Sequence, residues 1–140
     1  MSYRYLEHTS DIEFLAEGST LEEVFESSAK AFYDSIVDID KVSPLEKRKI
    51  SVGGVDLENL LYNFLEELLY LFDTEMLVGR EIKVDISKKE GEYSLNAEIR
   101  GEILDLKKHE PKTEIKAVTY HEMYVKRVGD KYIAHVILDI

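Results

Sequence analysis

The last nine residues, YIAHVILDI (132–140), are mostly apolar and β-prone. Such a run reads as a strand locked into a sheet rather than the frayed end usual for a terminus. It stops on Asp139, whose carboxylate is followed by Ile140 and a main-chain carboxylate. Held rigidly, these groups make a dense cluster of hard oxygen donors. The turn before the run supplies a neighbouring strand. Gly129-Asp130 separates 115–128 from 131–140, and Gly at the first loop position suits a two-residue type II′ hairpin. That register sets Val128 against Lys131, Val125 against Ala134 and Tyr124 against His135. Continued outward, it sets Met123 against Val136, Glu122 against Ile137, His121 against Leu138 and Tyr120 against Asp139. Asp139 then stands on the more polar face near Tyr120, with Lys116 in diagonal reach. A one-residue slip would turn its carboxylate into the core at a large cost.

The rest of the chain alternates between the two periodicities. Residues 3–8 read as a short strand, and 12–17 as a second one with Ile12, Phe14 and Ala16 on one face. The tetrad His8-Thr9-Ser10-Asp11 joins them. Thr20 with Glu23 matches a capping box opening a helix over 21–37. A loop over 38–44 leads to a strand at 47–52, which Gly53-Gly54 breaks. Asp56 caps a second helix reaching about Asp73, whose wide stripe from Leu57 to Phe72 predicts that it lies across a sheet. Residues 81–88 and 93–99 form a hairpin around Glu90-Gly91-Glu92, with Gly101 ending or bulging the return strand. The predicted fold is α+β: two main helices packed on mixed or antiparallel sheet built from hairpins, in a single domain over 1–140.

Twenty-nine acids against eighteen bases give a formal charge of -11. Such a surface repels a phosphate backbone, so direct nucleic-acid binding is not expected, while cations and basic proteins are suitable partners. The chain has no cysteine, which removes disulfides, thiolate zinc sites and cysteine nucleophiles. No apolar run approaches the ~20 residues needed to span a bilayer. With no signal-peptide pattern at the start either, a soluble cytoplasmic protein is expected. The one basic patch, LKKHEPKT (106–113), reads as a loop able to guide an anion through Lys107, Lys108, His109 and Lys112.

The sharpest candidate site is Asp11 with Asp139 and Ile140. Oxygen-only donors favour Ca²⁺, Mg²⁺ or Mn²⁺, and His8 is a possible neighbour that would shift the preference toward a transition metal. No calcium-binding loop, phosphate-cradling glycine loop, zincin helix or serine-nucleophile motif is present. A self-contained enzyme is therefore not indicated. A metal-dependent phosphate-ester hydrolase on the same carboxylates is the less favoured alternative.

His8-Thr9-Ser10-Asp11, DLENLLYNFLEELLYLFD (56–73), Gly101-Glu102 with Lys108-His109, IKAVTYHEMYV (115–125) and the closing 136–140 together resemble the archease family, in the family's order and over nearly the whole chain. Ser10 and Phe64 depart from the Ala and Trp commoner in the family. The resemblance implies an accessory protein of the RtcB-type RNA ligase in tRNA splicing, promoting ligase guanylylation and repeated turnover. It also implies a divalent metal site, Ca²⁺ foremost, at Asp11, Asp139 and Ile140. Lys108 is implied as a phosphate or ligase contact, followed by Lys116 and His109. The alternative from another class is a general chaperone or modulator of RNA- and DNA-processing proteins.

Overall fold

Both stretches of helical spacing form helices, and most of the period-two stretches form strands. The computed structural model describes residues 1–6 and 11–140. In chain order the elements are β1 (Ser2–Leu6), β2 (Asp11–Gly18), α1 (Leu21–Ile36), β3 (Glu46–Gly54), α2 (Leu57–Glu75), β4 (Leu77–Lys89), β5 (Glu92–Ile103), α3 (Leu106–His109), β6 (Ala117–Val118), β7 (Tyr124–Val128) and β8 (Lys131–Asp139). All strand pairs are antiparallel. They form two sheets, one running β1-β2-β8 with β6 and β7 both on the far edge of β8, the other β3-β5-β4. The expected α+β architecture of two main helices on antiparallel sheet is what the chain adopts.

The helix starts follow from their caps. Thr20 Oγ1 accepts from Glu23 N at 3.1 Å, and Glu23 returns a carboxylate oxygen to Ser19 N at 2.7 Å. Asp56 Oδ1 accepts from Asn59 N at 2.7 Å to open α2. The first helix packs against β1, β2 and β8 of the larger sheet and against β4 of the smaller. The second packs against β3, β5, β6 and β7. One apolar cluster therefore joins both sheets through both helices, with Phe14, Phe25, Phe32, Phe64, Leu65 and Ile99 fully enclosed. Burial of each such side chain contributes about 1.5–3 kcal/mol. A glutamate from each helix also satisfies a strand amide: Glu26 accepts from Val84 N and Glu58 from Val125 N, both at 2.8 Å. No helix among the described residues is long and apolar enough to cross a membrane.

Several local expectations are corrected. Gly53-Gly54 does not break the strand, because β3 continues through both. A Cβ on Gly54 would lie 2.6 Å from the Leu60 backbone nitrogen, so this glycine lets α2 cross close over the strand. The segment after β5 is not wholly a loop, since it contains the single turn α3. Around Gly129 the register is as expected from Val128↔Lys131 to Tyr124↔His135. Gly129 has a φ of 65° while Asp130 has no positive φ, in keeping with a type II′ turn. Beyond Tyr124 the expected pairing fails. Asp139 lies opposite Ala117 and Leu138 opposite Val118, so neither Tyr120 nor His121 reaches its expected partner. Residues 119–123 leave the ladder, turning through Glu122 at a φ of 53°, and the strand resumes three residues out of step.

Candidate functional site

The larger sheet brings the start of β2 and the end of β8 together. Asp11, the first residue of β2, is the direct cross-strand partner of Asp139, the last residue of β8. Opposite residues of an antiparallel pair have Cα atoms about 4.5–5.5 Å apart, and their side chains share one face. Asp139 is exposed and Asp11 half-buried. On the other side of β8 stands Ala117, and the backbone N–H of Lys116 donates to the Asp139 carbonyl at 2.8 Å. Lys116 thus meets Asp139 through its backbone, whereas the expected register put its side chain on the face of the acid; the observed one puts Ala117 there instead. Ile140 is half-buried and packs against the core, which fixes the main chain that follows Asp139. Its main-chain oxygen is the next one along the chain after the Asp139 carboxylate. His8 lies outside the described residues. Among those described, no group of three or more metal-ligating side chains comes together. The donor set is thus two carboxylates plus main-chain oxygen, a chemistry that fits a hard divalent cation.

Beside Asp11 a depression of about 240 Å³ runs toward α1, with Asp34, Ser35 and Lys112 on its wall. The Lys112 ammonium donates to the Asp34 carbonyl at 2.9 Å, and its backbone N–H to Ile36 O at 2.7 Å. The stretch after α3 is thereby tied to the end of α1.

Lys108 and His109 lie in a separate cluster centred on Glu102. Lys108 Nζ donates to Glu102 Oε1 at 2.6 Å and to Ser43 Oγ at 3.0 Å. Ser43 N donates to the same carboxylate oxygen at 2.6 Å. His109 is fully buried. Its Nδ1 accepts from Asp105 N at 2.8 Å, so Nε2 carries the proton and donates to Glu102 Oε1 at 3.1 Å. Burial alone would push the Glu102 carboxyl up. The donors from Lys108, Ser43 and His109 outweigh it and hold the group at about 2. His109 is thus enclosed with both ring nitrogens engaged, and Lys108 has already committed two of its three protons. Glu102, which the sequence presents only as part of the Gly101-Glu102 step, is the residue that gathers them.

A second histidine escaped notice as a bridge. His135 is buried in β8, stacked on Tyr124, with Nδ1 donating to Glu122 O at 2.7 Å and Nε2 facing the Glu13 carboxylate at 2.5 Å. It holds the strand-breaking turn at Glu122 against β8. The only signal in the sequence was its register opposite Tyr124.

The pattern that defines the archease protein family matches residues 3–140. The chain belongs to the archease family. It is 48% identical over 139 residues to the archease of Pyrococcus abyssi, covering 99% of this chain and 98% of that one. The archease of Methanosarcina barkeri is 47% identical over 139 residues, covering 99% of this chain and 95% of its own. In structure the chain is similar to protein 1598 of Methanobacterium thermoautotrophicum, with a TM-score of 0.88 at 36% identity, covering 99% of this chain and 98% of that one. An archease from Thermotoga maritima, described as a possible chaperone, shares the fold with a TM-score of 0.63 at 20% identity, over 96% of this chain and 94% of its own.

Proposed function

We propose that this archease is a non-catalytic accessory protein of an RtcB-type RNA ligase in tRNA splicing, promoting guanylylation of the ligase and its repeated turnover. The observation that carries the reading is the Asp11↔Asp139 register pair at the rim of the larger sheet. Two carboxylates facing each other across a ladder repel, and a divalent cation shared between them turns that repulsion into attraction. Asp11, Asp139 and a main-chain oxygen of Ile140 would hold the ion, with Ca²⁺ preferred and Mg²⁺ or Mn²⁺ also suited. When bound, such an ion neutralises charge on a nucleotide phosphate.

The chain's own residues do the positioning. The Lys116 N–H fixes the Asp139 carbonyl, and its ammonium is offered as a lower-ranked contact for a phosphate or for the ligase. Lys108 and His109 serve mainly to hold Glu102, which leaves one Lys108 proton for an outside contact. The protein needs no nucleophile of its own. Its net charge of -11 favours a basic protein surface over RNA, and a cytoplasmic setting accords with a cysteine-free chain.

The test is single-turnover guanylylation of the cognate ligase, with and without this protein, across a divalent-metal series. Asp139→Ala should lose the stimulation while keeping its fold. An unchanged guanylylation rate in that variant sinks the reading. The Thermotoga maritima relative's description as a possible chaperone favours a second reading, a general modulator of RNA- and DNA-processing proteins. In that case Asp139 is dispensable and several unrelated partners bind.

A further inference from the structure

Helix α2 carries five acids, Glu58, Glu66, Glu67, Asp73 and Glu75, and no lysine or arginine along its 19 residues. Two of its acids, Asp73 and Glu75, sit in the last turn, where the negative end of the helix dipole disfavours a carboxylate. Internal contacts account for Glu58, bonded to Val125 N, and for Glu75, paired with Arg48 at 2.9 Å. Glu66 accepts only from the neighbouring Tyr62 hydroxyl, and no such contact accounts for Glu67 or Asp73 among the described residues. Asn59, Tyr62, Glu66, Tyr70 and Asp73 follow at helical spacing and form one stripe, half-buried at its start and exposed from Tyr70 on.

Of the aromatic groups on this stripe, Tyr62 is half-buried against the core and Tyr70 stands out in solvent. Tyr70 is 61% exposed. Tyr62 lies flat on Tyr120, their ring centroids 4.0 Å apart and planes 9° from parallel. Tyr120 is itself 49% exposed. Asn59 Nδ2 donates to Tyr120 Oη at 2.7 Å, and Tyr62 OH donates to Glu66 Oε1 at 2.8 Å. The rings are therefore oriented by polar contacts at the surface. Tyrosine offers large rigid contact area at low entropic cost, which is why it recurs at the centres of interfaces. Ring faces alternating with carboxylates complement guanidinium and ammonium groups by cation–π attraction and ion pairing together. The same charge repels a phosphate backbone, so a nucleic acid is the wrong occupant.

We propose that the Asn59–Asp73 stripe of α2, widened by Tyr120, is a docking ridge for an arginine- and lysine-bearing face of a folded protein partner. Taking that partner to be the ligase rests on the function proposed above. Tyr120 belongs to the segment that leaves β6, and β6 pairs with Asp139. A partner gripping Tyr120, and Tyr70 about 12 Å farther along the helix, is set down beside the carboxylate pair.

The experiment measures binding of the cognate RtcB-type ligase to the full chain by calorimetry at low and high salt. Tyr70→Ala should weaken binding roughly tenfold with an unchanged melting temperature, because its ring is not part of the core. The combined Glu66→Gln, Glu67→Gln, Asp73→Asn variant should flatten the salt dependence of affinity. Binding by the wild type with both variants indistinguishable from it overturns the ridge alone. No binding by the wild type overturns the ridge and the ligase reading together. Weakened ridge variants alongside an Asp139→Ala variant that still stimulates support the ridge and overturn the metal-site reading.

Discussion

Glu102 is the penultimate residue of β5 and Asp139 the last residue of β8, and the fold treats these two carboxylates in opposite ways. The Glu102 side chain is 12% exposed and gathers donors from a lysine, a histidine and a backbone amide. Asp139 is exposed, and the residue directly across the ladder is another acid. The first arrangement fastens α3 and the Ser43 segment to the smaller sheet. The second sets like charges face to face across strands, which is unfavourable. The contrast separates a carboxylate that holds the fold from one that the fold holds out.

The largest effect expected on this contrast comes from added metal. Ca²⁺ at one hundred times its dissociation constant should stabilise the wild type by about 2.7 kcal/mol. Asp139→Asn should abolish that gain, as read from denaturant midpoints with and without the ion. Equal stabilisation of both proteins would place the ion elsewhere.

Removing the other carboxylate should act in the opposite direction. Glu102→Gln should cost about 2 kcal/mol at neutral pH, somewhat less than a fully buried pair because Lys108 remains partly in solvent. The folded-state value of about 2 lies below the ordinary 4.5. The stabilisation is therefore complete above about 4.5 and is lost as the pH falls toward 2. Urea midpoints of the wild type and Glu102→Gln should differ most at neutral pH and converge through that window. A constant difference would show that the charge is not what stabilises the cluster.

The smallest effect concerns Asp139→Asn without metal. Relief of the facing charges should leave stability within about 0.5 kcal/mol of the wild type, on the stabilised side. A loss comparable to that of Glu102→Gln would erase the distinction between the two sites.

Much of this architecture was legible because it is written in short-range rules. Thr20 with Glu23 and Asp56 with Asn59 are neighbours in sequence, so the caps that start both helices need no knowledge of the fold. The hairpin register near Gly129 follows from a two-residue turn and the two-residue period of the strands. The polar face of Asp139 is equally local, since its carboxylate has to avoid the core. His109 marks where local reading stopped. A lysine-flanked histidine in a polar stretch looks solvated, but Asp105 caps one helical turn and its own N–H draws the imidazole inward, where Glu102 waits from another strand.

By itself, then, the amino-acid sequence determined the kinds of element, their caps, the closing turn and the exposure of Asp139, because each depends on residues a few positions apart. The resemblance carried by its motifs pointed to Asp11. Only the tertiary structure decided that β2 lies directly beside β8 and sets Asp11 opposite Asp139, for no local rule relates the two ends of a chain. It also decided the five-residue break between β6 and β7, across which the register shifts by three. There Tyr120 leaves the ladder to stack on Tyr62 of α2, and Thr119 Oγ1 donates to Ile137 O at 2.8 Å. That departure sets Ala117 rather than Tyr120 against Asp139. It is a compromise between strand pairing and helix contact that a single strand's pattern does not encode.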